Sequence, residues 1–138
     1  MLPLEALTEQ IIGIAMKIHR KLGCGYLESV YQACMEIELT KAGIPFESRK
    51  KLDVWYEGQR VGTFEADIVV LSDPLLILEL KAAEVIAKAH EAQLVNYLTN
   101  TNIEDGIIIN FGATSLQTRR KFRTYRPSNI NRVTNHPV

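Results

Sequence analysis

Three acidic residues and one lysine stand where a purely structural pattern would be uninterrupted. Asp67 breaks the run Phe64-Glu65-Ala66-Asp67-Ile68-Val69-Val70, and Glu79 and Lys81 close the run Leu75-Leu76-Ile77-Leu78-Glu79-Leu80-Lys81. In an extended strand Glu79 and Lys81 point to the same side about 7 Å apart, while Leu80 points to the other. Ionised groups at the end of a buried strand are costly unless they are paired or bound to a cation. Asp67 and Glu79 offer the hard oxygens that Mg²⁺ prefers, a cation that otherwise keeps several waters and takes a substrate phosphate. Lys81 could then hold or polarise an attacking water and contact the phosphate. The same residues also read as a Glu79–Lys81 pair at a frayed strand end with Asp67 on solvent.

Further polar residues lie on helical stretches. Glu28 and Tyr31 are three apart and share a helix face, so the carboxylate could reach the sheet edge with the tyrosine packed or bonded beside it. A solvent glutamate beside a core tyrosine is the plainer alternative. Gln93 and Tyr97 are four apart and share a face with His90, from which they could contact a phosphate or a base. His90 reads equally as an ordinary surface histidine. Arg119, Arg120, Lys121, Arg123 and Arg126 form a basic run with Phe122 and Tyr125 interleaved. Cations and aromatics so mixed could hold a nucleic-acid strand, or could be a solvated tail; a chain cut after about Thr118 is expected to stay folded but to bind nucleic acid more weakly and with a smaller salt dependence.

The elements that must position these groups follow from periodicity. Ile11, Ile14, Ala15, Ile18 and Leu22 recur at helical spacing until Gly23 and Gly25 interrupt. A second helix is expected from about Tyr26 to Lys41, with Leu27, Val30, Cys34 and Ile37 along one side, Glu38 a candidate to join them, and Gly43 and Pro45 ending it. From Phe46 the period becomes two, and Glu57-Gly58-Gln59-Arg60 reads as a hairpin turn into a return strand over about Val61 to Leu71. Leu75 to Lys81 suits a central strand covered on both faces. Ala82 to Leu98 lacks Gly and Pro and reads as helix, and Gly106 to Phe111 as a buried strand. A polar tail is expected from about Ser115. The helix between the third and fourth strands makes those two parallel by a right-handed crossover, so the fold class is α/β, a mixed sheet flanked by helices.

Composition limits what such a protein can be. At 138 residues the chain fits one domain, expected over residues 1–126 with a polar end at 127–138. Apolar residues at 46% and charged residues at 23% match ordinary globular usage and exclude coiled-coil, collagenous and disordered classes. Sixteen basic against sixteen acidic residues leave no net charge, so any nucleic-acid site must rest on local charge. Cys24 and Cys34 have no metal-site spacing and read as reduced, buried thiols. The chain opens on Leu-Pro-Leu-Glu without a basic and apolar leader, and no apolar stretch suits a membrane span, so the cytoplasm is the expected compartment.

The spacing Asp67, then Glu79-Leu80-Lys81 after an apolar strand, resembles the Asp…(Asp/Glu)-x-Lys motif of the PD-(D/E)XK nuclease superfamily. Gln93-Leu94-Val95-Asn96-Tyr97 is similar to the Gln-x-x-x-Tyr motif of its RecB-like branch. Gly25-Tyr26-Leu27-Glu28-Ser29-Val30-Tyr31 matches the signature of the GxxExxY family, and Ile109-Asn110-Phe111-Gly112 is also similar to that family. The resemblance spans about residues 10 to 112, with Ala66 where the named motif has proline. It implies a restriction-endonuclease-like core and hydrolysis of DNA or RNA with Mg²⁺ or Mn²⁺. Metal ligands would be Asp67, Glu79, the main-chain carbonyl of Leu80, and Glu28 completing or orienting the shell. Lys81 would act at the water, and Gln93 and Tyr97 would join the catalytic set. Two other readings stay open: a non-catalytic nucleic-acid-binding module, and an interaction subunit whose hairpin, with Trp55 and Tyr56, joins a partner or a second copy in a homodimer.

Overall fold

The computed structural model describes residues 4–123. Helices α1 (Leu4–Leu22) and α2 (Glu28–Lys41) lead into the hairpin β1 (Phe46–Tyr56) and β2 (Gln59–Val70), then β3 (Leu76–Lys81). Helix α3 (Lys88–Thr101), β4 (Asp105–Asn110) and β5 (Gln117–Phe122) follow. The five strands lie in sequence order, antiparallel throughout except for the β3–β4 pair, which is parallel and joined through α3. This is the expected mixed α/β sheet.

Two apolar clusters cover the two faces of the sheet. On one face Ile11, Ala15 and Ile18 of α1 and Tyr31, Met35 and Leu39 of α2 pack on Ile68, Val70, Leu78, Leu80, Ile107 and Ile109. On the other, Leu94 and Leu98 of α3 pack on Phe64, Ala66, Val69, Ile77 and Ile108. β3 and β4 therefore read as nearly continuous apolar runs, because both of their faces are covered. β2 changes allegiance along its length: Phe64 and Ala66 serve the α3 cluster, while Ile68 and Val70 serve the α1 and α2 cluster. Strict alternation would send all four to one face. The reversal falls across Asp67.

Four sequence expectations are corrected. β5 occupies residues expected to be a polar tail, pairing Arg119 with Ile108 and Lys121 with Gly106. Its cations are held in ion pairs, Arg120 with Asp105 at 3.2 Å and Lys121 with Glu91 at 2.8 Å, and Arg123 pairs with Glu104 at 2.5 Å. A chain cut after Thr118 would lose this strand and leave the buried Asp105 carboxylate without Arg120. Arg126 and Tyr125, with the rest of residues 124–138, lie outside the described residues.

α3 begins at Lys88 rather than Ala82, because tertiary hydrogen bonds claim the intervening backbone. The Asn110 side chain accepts from the Ala83 N–H and donates to the Ala83 carbonyl, both at 2.9 Å, and Gln117 Oε1 accepts the Ile86 N–H at 3.3 Å. α2 is rotated from the expected face: Tyr31, Gln32, Met35 and Leu39 are buried, while Leu27 and Ile37 are exposed. Cys24 is exposed and Cys34 half-buried, so neither thiol is the core residue that composition suggests.

Candidate functional site

The seven residues from Gly25 to Tyr31 work as one local device. Gly25 has φ 115° and Gly23 φ 71°, conformations that a Cβ disfavours, and they turn the chain from α1 into α2. Tyr31 is fully buried and stacks on Phe111 with ring centroids 4.5 Å apart and an interplanar angle of 7°. Its hydroxyl donates to the Gly23 carbonyl at 2.5 Å and accepts the Tyr26 N–H at 3.4 Å. The tyrosine thus ties the turn to the core and sets the rotation of α2. Glu28 is exposed in the first turn of the helix, and Gln32 is turned inward, donating to the main-chain carbonyl of Asp67 at 2.8 Å.

Asp67 and Glu79 meet where β2 and β3 separate. The paired register ends at Ile68 opposite Leu78. Beyond it the two carboxylates replace the ladder: Asp67 Oδ2 accepts the Leu80 N–H at 2.7 Å, and Glu79 Oε2 accepts the Asp67 N–H at 3.4 Å. The remaining oxygens, Asp67 Oδ1 and Glu79 Oε1, accept no hydrogen bond from the described residues. Lys81, half-buried at the end of β3, makes no hydrogen bond or close ion pair with them either.

Both carboxyls hold their protons too strongly for ordinary surface acids. Burial raises the Glu79 carboxyl to about 8, reinforced by the negative charge of Asp67 and more weakly of Glu28, against the Asp67 N–H and Lys81. Asp67 is raised chiefly by burial, with the Leu80 N–H opposing and Glu28 adding to the rise, while Lys81 and Arg49 favour its charged form. Burial, more than neighbouring charge, is what disfavours the ionised forms here. A hard divalent cation suits that donor set, since it would take the place of the proton on Glu79 and use the two free oxygens.

The site has two recesses. Glu79 and Lys81 line one together with Phe64, His90, Gln93 and Tyr97. Tyr97 stacks on Phe64 with centroids 3.8 Å apart, and Asn100, one turn further on, holds the Trp55 N–H and carbonyl of β1 at 3.2 and 3.0 Å. These contacts fix α3 over the sheet. The His90 Nδ1 accepts the Ala87 N–H at 3.3 Å, which gives that histidine a structural role at the start of the helix. Asp67 lines the other recess with Glu28, Ser29, Gln32, Arg49 and the Leu80 segment. Glu28 thus stands on the Asp67 side and the Gln93–Tyr97 pair on the Glu79 side. Among the described residues, no three His, Cys, Asp or Glu side chains form a ready-made metal cluster.

Sequence reasoning missed Gln32, Arg49 and Phe64. Phe64 stands three residues before Asp67 on the same strand, a spacing that alternation assigns to opposite faces, so the strand pattern did not point to it. Gln32 and Arg49 carry no sequence signal of their own. Asn110 and Gly112, noted only for their family likeness, brace the segment after Lys81: the Asn110 Oδ1 also accepts the Gly112 N–H at 3.1 Å, and the Phe111 N–H binds the Lys81 carbonyl at 2.8 Å.

A mixed sheet whose central strand ends in Glu-x-Lys, beside an aspartate on the adjacent strand, defines the restriction-endonuclease-like class of α/β proteins. The chain belongs to the PD-(D/E)XK nuclease superfamily, whose family model matches residues 5–122. Members of that superfamily generally use divalent metals. The crystal structure of SSO0001 has the same fold, with a TM-score of 0.57 and 16% identity over 78% of this chain and 55% of that one. The chain thus spans about half the length of that protein. No curated protein matches it. Among the described residues, no helix is long and apolar enough to cross a membrane.

Proposed function

We propose that this chain is a metal-dependent nuclease of the GxxExxY branch, hydrolysing phosphodiester bonds of DNA or RNA with Mg²⁺ or Mn²⁺. The observation that carries the reading is the meeting of Asp67, Glu79 and Lys81 at one strand end, where burial raises both carboxyls above the usual carboxylate range and Asp67 Oδ1 and Glu79 Oε1 accept no hydrogen bond from the described residues. Asp67, Glu79 and the Leu80 carbonyl would hold the metal, with Glu28 completing or orienting the shell from the first turn of α2. A bound divalent cation supplies Lewis-acid polarisation of the phosphoryl oxygen and stabilises developing charge.

The other steps belong to side chains. The Lys81 ammonium orients the attacking water and meets the charge that builds on the phosphate. Gln93 and Tyr97 bound the recess on the same side and position the substrate against Lys81. The proposal includes a single domain over residues 1–126 with a polar tail at 127–138, a cytoplasmic setting and a homodimer as an allowed assembly.

The test is incubation of the purified chain with labelled single- and double-stranded DNA and RNA in Mg²⁺, Mn²⁺ or EDTA. Metal-dependent cleavage lost in Lys81→Ala supports the enzyme. A second reading, a binding or protein-interaction module on the same fold, is favoured by the hairpin tip, where Trp55 is 49% and Tyr56 66% exposed. Binding without cleavage under every condition would select it.

A further inference from the structure

The β1–β2 ladder skips one rung next to the site. Ser48 stands opposite Ile68 and Lys50 opposite Ala66, while Arg49 and Asp67 between them are not paired. Arg49 has φ 50°, a left-handed conformation that is strained for a residue with a long side chain. Glycine, asparagine or aspartate would hold that backbone at less cost. Backbone geometry therefore gives no reason for an arginine here.

Internal contacts account for it only in part, since Arg49 favours the charged form of Asp67 without bonding to it. Arg49 is exposed and makes no hydrogen bond or close ion pair with the described residues. Its neighbour Lys50 pairs with Glu47 at 2.9 Å, and the cations of β5 pair with Asp105 and Glu91. The cations that line the two recesses are Arg49 and Lys81, one on each side of the Asp67–Leu80 hydrogen bond. A polyanion lying across this strand end would meet an ammonium on the α3 side and a guanidinium on the α2 side. The guanidinium's planar fork of N–H donors matches the oxygens of a phosphodiester.

We infer that Arg49 is a substrate-binding residue that takes a backbone phosphate of the nucleic acid on the α2 side, adjacent to the phosphodiester held at Asp67, Glu79 and Lys81. The strained rung keeps the guanidinium beside the recess instead of along the outer edge of β1. This inference rests on the nuclease reading and extends it to how the strand is held.

Equilibrium binding of labelled single- and double-stranded DNA and RNA to the full chain, in Ca²⁺ over a series of salt concentrations, tests it. Arg49→Asn should weaken binding about tenfold, as for the loss of one charge-assisted contact. It should also lower the slope of log affinity against log salt by about 0.9 on a duplex or about 0.7 on a single strand. Arg49→Lys should recover the slope and only part of the affinity. Both Arg49→Asn and Arg49→Gly suit the left-handed backbone and should melt no lower than the parent, so either can carry the measurement. If the parent binds and Arg49→Asn keeps its affinity and salt slope, Arg49 contacts no phosphate and the nuclease reading still stands. If the parent binds no nucleic acid and cleaves none, both readings fall.

Discussion

Replacing Glu79 by glutamine isolates the electrostatic tension at the strand end. The folded chain holds a proton on Glu79 up to about pH 8, whereas an unfolded glutamate releases it near 4.5. A raised carboxyl stabilises the folded state fully below the unfolded value, and that contribution is lost as pH rises through the folded one. The difference, 8 minus 4.5, is 3.5 pH units, which at 1.36 kcal/mol each sets a ceiling of about 5 kcal/mol. Glutamine keeps the acceptor for the Asp67 N–H and cannot ionise. In EDTA the parent should therefore lose stability between pH 5 and pH 9, and Glu79→Gln should lose much less. The two should melt together near pH 5. At pH 9 the variant should melt higher by on the order of 10 °C, taking roughly 3–5 °C per kcal/mol for a chain of this size. Mg²⁺ competes with the proton, so it should raise the parent's melting temperature more at pH 8.5 than at pH 5.5 and do little for the variant. Circular dichroism melts across that range decide the matter. A constant gap between parent and variant at every pH, with or without Mg²⁺, would refute the claim that Glu79 is a buried, protonated, metal-ready carboxyl.

Three further outcomes are expected. A Cβ at Gly112 would lie 2.4 Å from the main-chain nitrogen and oxygen of Ala83, so Gly112→Ala should cost about 3 kcal/mol or more in chemical denaturation. Tyr31→Phe keeps the stack on Phe111 but loses the bonds to Gly23 and Tyr26, and urea unfolding should show a loss of about 1–2 kcal/mol. Truncation after Thr118 removes most of β5 and the Arg120 partner of Asp105, so the cut chain should lose its cooperative melt; a parent-like transition would show that the fifth strand is dispensable.

The legible parts of this fold were those in which one physical demand dominated. Burial on both faces makes β3 and β4 nearly continuous apolar runs, and Glu79 and Lys81 at the end of β3, with Asp67 in β2, stand out against that background. Other elements answered to several demands at once. β5 is an edge strand whose consecutive side chains Arg119, Arg120 and Lys121 are spent on ion pairs to Glu91 and Asp105, so its residues look like those of a solvated tail. The stretch from Ala82 to Ala87 has helix-forming residues, but Asn110 and Gln117 take its backbone groups. In α2 the apolar residues run almost all round, and the stack of Tyr31 on Phe111, not their count, chooses the buried side. Arg49 was invisible because a left-handed rung in a strand depends on the strand opposite.

The reversal of β2 at Asp67 also bears on how errors would accumulate in this protein. The aspartate is the crossing point between a strand segment seated on α3 and one seated on α1 and α2. Its carboxylate direction is the resultant of two independently packed layers, with no flexible loop to absorb a mismatch between them. A conservative swap at Ala66 tilts the segment from one side, and one at Ile68 tilts it from the other. In a genetic selection against this site, the recovered alleles would not map only to charged residues. They would spread into both hydrophobic layers, and paired changes across the two layers would restore what either one alone had lost.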